Sequence, residues 1–270
     1  MKRTMKKLLT LLATGLLAAS CVINISGGAW VGTCTEQGID YTEVRDVQAF
    51  RSISSGLPCN IYYIQADKQE VRVETTKEFA EKVLTTVEDG TLKLKLEEGR
   101  YPKLILRVLI SSPDIEGISI SGSGSLVHEG ALHASGNVSL RVSGSGDIQA
   151  GNIDGKDFSA RVSGSGNIYL TSVACDDFEA TTSGSGHIDL KTLRAKDDAS
   201  VRVSGSGSIR LYEVDVDGDM VLKTSGSGSI LVNGRCHDVD ATTSGSGSIS
   251  GNLSHTGIHT TTAGSGRVDL

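Results

Sequence analysis

Residues 201–211 read VRVSGSGSIRL. Taken alone, the central Ser-Gly-Ser-Gly has the composition of a flexible tether. The same tetrapeptide starts at residues 121, 143, 163, 183, 204, 225 and 244, and Ala-Gly-Ser-Gly starts at 263. No tether between domains requires that recurrence. The intervals are 22, 20, 20, 21, 21, 19 and 19 residues, a period that points to a solenoid.

A tether also has no reason to hold apolar residues in phase, yet they are in phase. Five positions after each repeat start stand Leu126, Ile148, Ile168, Ile188, Ile209, Ile230, Ile249 and Val268. Five before the start stand Val138, Phe158, Phe178, Ala199, Met220, Val239 and Ile258, and three before stand Leu140, Ala160, Ala180, Val201, Leu222, Ala241 and Thr260. These offsets are all odd, so the columns share one face of a strand whose side chains alternate with period two. The motif's glycines share that parity and its serines do not. The serines are therefore expected to point outward, with the glycines letting the backbone bend where side chains would collide inside a narrow coil. A bulge would reverse the parity and place a serine ladder inside. Ser-Gly-Ser-Gly reads as the corner of each turn of a β-helix. About eight coils of 19–22 residues, at about 4.8 Å per rung, make a rod of roughly 35–40 Å. A β-sandwich is the other all-β architecture, and equal periods argue against it.

The chain has 270 residues, 4% aromatics, three prolines and 33 glycines, a composition that favours repetition over an ordinary jigsaw core. Residues 1–20 read as a secretory signal peptide: Met1–Lys7 is basic, Leu8–Leu17 is apolar, and LLAASC follows. The apolar stretch is too short to span a bilayer of roughly 30 Å as a helix. Ala18-Ala19-Ser20-Cys21 is similar to a lipobox, although Leu17 stands one place further back than the usual leucine. Cys21 is thus the expected lipid attachment point, with simple secretion as the other reading. Several acyl chains at one residue suffice for stable membrane anchoring. Cleavage removes Lys2, Arg3, Lys6 and Lys7 and no acid, moving the formal charge from −6 to about −10 and making nucleic acid an unexpected partner. Residues 21–43 show no sustained period and read as anchor cysteine and spacer, with Trp30 a local packing residue.

The folded body is expected over 44–270, divided into a β-rich N-terminal section, 44–112, and the repeats, 113–270. In the first section NIYYIQ, EVRVET, TLKLKLE and LILRVLI alternate as strands, and Asp89-Gly90 is a hairpin turn. KEFAEKVL, residues 77–84, is the one helical candidate. Beyond Cys21 four cysteines remain. Cys175 and Cys236 share a phase three rungs apart, about 14 Å, and so are not expected to pair; Cys34 with Cys59 stays unassigned.

The ordered combination of FRSISSGLPCNIYYIQADKQEVRVET, VEDGTLKLKL, SSPDIEGISISGSG and the serial SGSG coils resembles the head GIN domain of auto-transporter adhesins, found on exported bacterial lipoproteins. The likeness covers about Val44–Leu270. It implies a right-handed parallel β-helix and an adhesive or envelope role, and it supplies no catalytic residues. No transporter barrel follows Leu270, so export is expected to rest on the signal peptide.

Catalysis needs acids and bases converging in a cleft, usually walled by long loops, and coil lengths varying by three residues offer little for such a wall. A carbohydrate-active β-helix enzyme and a purely structural envelope protein are the other readings. His128, His133, His187, His237, His255 and His259 fall at different phases and read as solvated surface, with no zinc spacing. No cofactor and no metal is expected, the motif lacking the Gly-Lys-Ser/Thr and helix of a phosphate loop. One acidic column, Asp157, Asp177, Asp198, Asp219 and Asp238, lies six residues before successive starts. Turn chemistry accounts for it, with a calcium site as the weaker alternative. Two residues before the starts lie Arg141, Arg161, Thr181, Arg202, Lys223, Thr242 and Thr261. Their basic members, Arg141, Arg161, Arg202 and Lys223, are the expected ligand face, against a plain role of keeping a flat sheet soluble. The whole reads as an exported, lipid-anchored, non-enzymatic protein of the bacterial envelope, at the outer membrane, binding a glycan or protein there.

Overall fold

A computed structural model describes residues 23–24 and 29–270. The signal segment and Cys21 lie outside the described residues. Each coil holds two strands joined by the Ser-Gly-Ser-Gly corner, the first shorter than the second up to Val216; from Met220 on the first strand lengthens and runs into the corner. Val138–Val142 leads through the corner into Asp147–Asp154, Phe158–Val162 into Asn167–Cys175, and Phe178–Thr182 into His187–Ala195. Short strands stack on short strands and long on long, in parallel, as two sheets. This is the parallel β-solenoid the repeat implies, and its eight corners bound seven full turns rather than eight.

The stacking register places the aliphatic columns directly over one another. Ile168 faces Ile188, which faces Ile209, and all three are fully buried. In the column five before the motif, Phe158 and Phe178 stack with ring centroids 5.8 Å apart and planes 9° from parallel. The parity that buries these columns also buries the residue just before each motif: Val142, Val162, Thr182, Val203, Thr224 and Thr243. The last coil is the exception: Ile258 is 45% exposed and Thr260 and Thr262 are exposed as well, since no described strand stacks above Gly257–Gly264. The motif serines point outward as expected: Ser143, Ser145, Ser163 and Ser165 are exposed.

The glycines are required for a different reason from the one parity gave. A Cβ on Gly166 would lie 1.9 Å from the Gly146 carbonyl oxygen, and one on Gly146 would lie 2.0 Å from that of Gly124. The nearest collision is with the backbone of the neighbouring rung, and a buried side chain comes second, Val142 Cγ1 at 2.7 Å from the Gly166 Cβ. Corner hydrogen bonds enforce that approach: the Ser165 and Gly166 N–H groups both donate to the Gly144 oxygen at 3.1 Å.

The N-terminal section belongs to the same stack, out of chain order. Ser52–Ser55 and Asn60–Gln65, joined by Gly-Leu-Pro-Cys in place of Ser-Gly-Ser-Gly, sit directly beneath Gly117–Ile120 and Leu126–His133. Thr91–Leu96 and Gly99–Ser112 come later in the chain but stack one rung lower. Asp89 and Gly90 carry φ of 49° and 68°, which suits the tight turn joining Val83–Glu88 to Thr91–Leu96.

Two expectations are corrected here. The spacer reading fails in part, because Ala29–Thr35 forms a strand parallel to Gly99–Ile105 and Tyr41–Arg45 pairs with Glu70–Thr75. Polar contacts between them fasten the segment: Glu36 accepts hydrogen bonds from Asn60 at 2.7 Å and Tyr62 at 2.9 Å, and Arg107 bridges Glu36 and Glu74. Trp30 packs locally, with the Arg100 guanidinium 4.8 Å from its ring. The helix over 77–84 shrinks to Lys77–Ala80, since Val83 is buried and starts the strand Val83–Glu88. Cys175 and Cys236 are both free. Strand register places Ala195 and Val216 on the two rungs between them.

Candidate functional faces

The outer surface of the short-strand sheet carries the basic column. Register places Arg141 beside Arg161, then Thr181, Arg202 and Lys223. All four cations are exposed. They are not equivalent, because Glu179 in the neighbouring column accepts a hydrogen bond from Arg161 at 2.6 Å and lies 3.9 Å from Arg202. Arg141 and Lys223 make no ion pair among the described residues, so the available positive charge stands at the two ends of the ladder.

The aspartates line the opposite corner of each coil. There three of the carboxylates accept backbone N–H groups of the next rung, not of their own turn as the sequence leads one to expect. Asp177 Oδ1 accepts the Asp198 N–H at 3.2 Å, Asp198 Oδ1 accepts that of Asp219 at 2.9 Å, and Asp219 Oδ1 accepts that of Asp238 at 3.2 Å. Each of these three acids thus caps a backbone donor on the next rung, while Asp238 accepts from the Thr256 hydroxyl. Asp157 begins this column, one rung below Asp177. Near its upper end His237 Nδ1 stands 2.9 Å from Asp219 Oδ1, a hydrogen bond that raises the imidazole pKa and lowers that of the carboxyl. Asp219, His237 and Asp238 bring one donor atom each to within 4.8 Å of one another, all exposed.

His128 departs from the surface reading of the histidines. It faces Ala150 in an inward column and is 3% exposed, its Nδ1–H donating to the Tyr63 carbonyl at 3.0 Å. Burial lowers its pKa.

A second face, which the repeat columns did not single out, lies on the long-strand sheet. There the inward parity switches midway through each strand, at Gly151, Thr171 and Lys191. The bend leaves a shallow groove whose lining includes Gly130, Gly151, Tyr169, Lys191 and Tyr212. Register irregularities occur at both ends of it, between His128 and Ala131 below and between Leu211 and Val214 above. β-Bulges re-aim side chains, and the upper one carries Tyr212. Tyr169 and Tyr212 are 39% and 44% exposed. The floor is bare backbone, since a Cβ on Gly151 would lie 2.2 Å from the Gly130 oxygen. The sequence signal for this groove was available in the changes of coil length from 22 to 20 and from 21 to 19. Each change contains one of these bulge residues.

Titratable groups on both faces stand in columns along the rod instead of converging on a point. No helix among the described residues is long and apolar enough to cross a membrane.

Comparison with known proteins agrees with this architecture. A model of the family described as putative auto-transporter adhesin, head GIN domain, matches residues 49–217. Among solved structures, a protein from Parabacteroides distasonis named a putative lipid binding protein superposes with a TM-score of 0.71 at 23% identity, covering 87% of this chain and 98% of its own. A putative adhesin from the same organism gives 0.76 at 19%, with the same coverages. A putative adhesin from Parabacteroides merdae gives 0.75 at 18%, covering 87% and 97%. At these identities the likeness is one of fold. No curated protein matches the chain.

Proposed function

This chain belongs to the putative auto-transporter adhesin, head GIN domain family, and from that membership we propose that it is a non-catalytic adhesive module of the bacterial envelope. The reading includes export by residues 1–20 and lipid anchoring of Cys21 at the outer membrane. The observation that carries it is the in-register outward column Arg141, Arg161, Arg202 and Lys223. It puts four cations on five successive rungs, interrupted at Thr181, of a rod whose formal net charge is −6 or lower. Such a ladder suits a repeating acidic ligand, an acidic glycan, held by several weak contacts acting together.

Attachment of the mature protein to immobilised acidic glycans is expected to weaken as salt rises. Changing all four cations to Gln should abolish it without moving the melting temperature. The pairing of Arg161 and Arg202 with Glu179 adds an order of effects: Arg141→Gln and Lys223→Gln should each cost more than Arg161→Gln. Unchanged attachment by the folded quadruple variant would reduce this column to solvated surface. For the anchor, Cys21→Ser should move the protein from the membrane fraction to the soluble fraction of expressing cells. A membrane-bound Cys21→Ser protein would overturn lipidation.

A further inference from the structure

We propose that the groove between the two bulges binds a neutral oligosaccharide, with Tyr169 and Tyr212 as its two stacking platforms. The site is separate from the basic ladder and rests on the adhesive reading only for its biological use.

Placement is the first argument. Exposed large apolar side chains among the described residues are Val44, Leu84, Tyr169, Tyr212 and Ile258. Val44 and Leu84 lie on the antiparallel strands of the N-terminal section, and Ile258 lies on the last short strand. The two tyrosines both line the groove, which none of the other three does. In a chain with 4% aromatics, two tyrosines on one groove are a concentration. An exposed tyrosine offers an apolar face with a polar tip, and the C–H face of a pyranose ring matches it.

Spacing is the second. Tyr169 and Tyr212 stand two rungs apart, about 10 Å along the rod, with the rung of Asp189 and Lys191 between them. That suits a short oligosaccharide better than a single sugar. The glycine floor at Gly130 and Gly151 lets a ring approach the backbone beside Tyr169.

Charge sets the ligand class. Glu129, Asp189 and Lys191 line the groove, Asp147 and Arg210 flank Tyr169, and Glu213 follows Tyr212 in the chain, so acids outnumber bases four to two. Arg210 holds Asp189 through contacts of 3.1 and 3.3 Å, fixing that carboxylate as a hydroxyl acceptor. Lys191 is exposed and makes no ion pair among the described residues, and Gln149 supplies both a donor and an acceptor. An acidic ligand is disfavoured where acids are in excess. A neutral sugar finds donors and acceptors on both sides of each aromatic platform.

The test uses the mature protein with tetrasaccharides of glucose, mannose and N-acetylglucosamine, read by calorimetry and by saturation-transfer NMR. At least one should bind. Tyr169→Ala and Tyr212→Ala should each weaken it about tenfold or more, Tyr169→Phe should retain it, and the quadruple ladder variant should bind it unchanged. Binding unaffected by either alanine change overturns the site. So does failure of every neutral tetrasaccharide in a protein that still attaches to acidic glycans or matrix protein, a result that leaves the adhesive reading standing. Tyrosine-dependent binding by a protein that supports no attachment of cells has the opposite meaning: the groove is confirmed and the adhesive reading fails.

Discussion

Replacing Ile188 by Asp is expected to open several rungs at once, at a cost of more than about 4 kcal/mol. Ile188 is fully buried, with Ile168 below and Ile209 above it in a continuous column. A carboxylate there finds no partner, because its neighbours in the column are aliphatic. A solenoid coil cannot bury its apolar strip alone, so losing one rung removes cover from two others. Hydrogen exchange should therefore show protection lost on both sides of residue 188, in Asn167–Cys175 and Ser208–Val216 as well as His187–Ala195. Ile188→Val is the control, trimming one methylene for about 1 kcal/mol. A circular-dichroism melt of the Asp variant within a few degrees of the parent would mean that the column is not the core.

The same column shows what the sequence could reveal. A residue repeated eight times at one phase announces both its stack and its face, so the aliphatic columns, the outward serines and the basic ladder could all be read before any coordinates. Two kinds of feature could not. The first depends on where a strand bends. Beyond Leu170 the inward side passes from even to odd positions, so Val173 and Cys175 are buried, and no motif marks the switch. The second depends on order in space. Nothing in Gly-Leu-Pro-Cys at residues 56–59 says that its coil lies between one formed by residues 91–112 and one formed by residues 117–133. For the candidate sites the division is similar. Phase exposed Arg141 and its companions, whereas the partial neutralisation of the ladder depends on the single Glu179, and the tyrosine groove on irregularities that interrupt the repeat.

The corner motif can be tested one atom at a time, with an expected ordering that separates a rung contact from a flexible linker. Gly186→Ala should destabilise by about 3 kcal/mol or more, since overpacking against backbone exceeds the usual cost of an added methyl. Its Cβ would lie 1.9 Å from the Gly166 oxygen and 2.7 Å from Val162 Cγ1. Neither can yield easily: the Gly186 N–H is held to the Gly164 oxygen at 3.2 Å, and Val162 is buried. Ser185→Ala, one residue earlier and facing solvent, should stay within about 0.5 kcal/mol of the parent. Gly136→Ala should be neutral or mildly stabilising, because nothing lies within 4 Å of the added carbon and the main gain is a less flexible unfolded chain. Urea titrations of the three variants would measure the order directly. If Gly186→Ala matched Gly136→Ala, the corner would tolerate side chains and the glycines would owe their recurrence to flexibility. If Ser185→Ala proved the most damaging, the serines would be the inward ladder that a reversed parity predicts. The packing of each corner glycine against the carbonyl one rung below allows neither outcome.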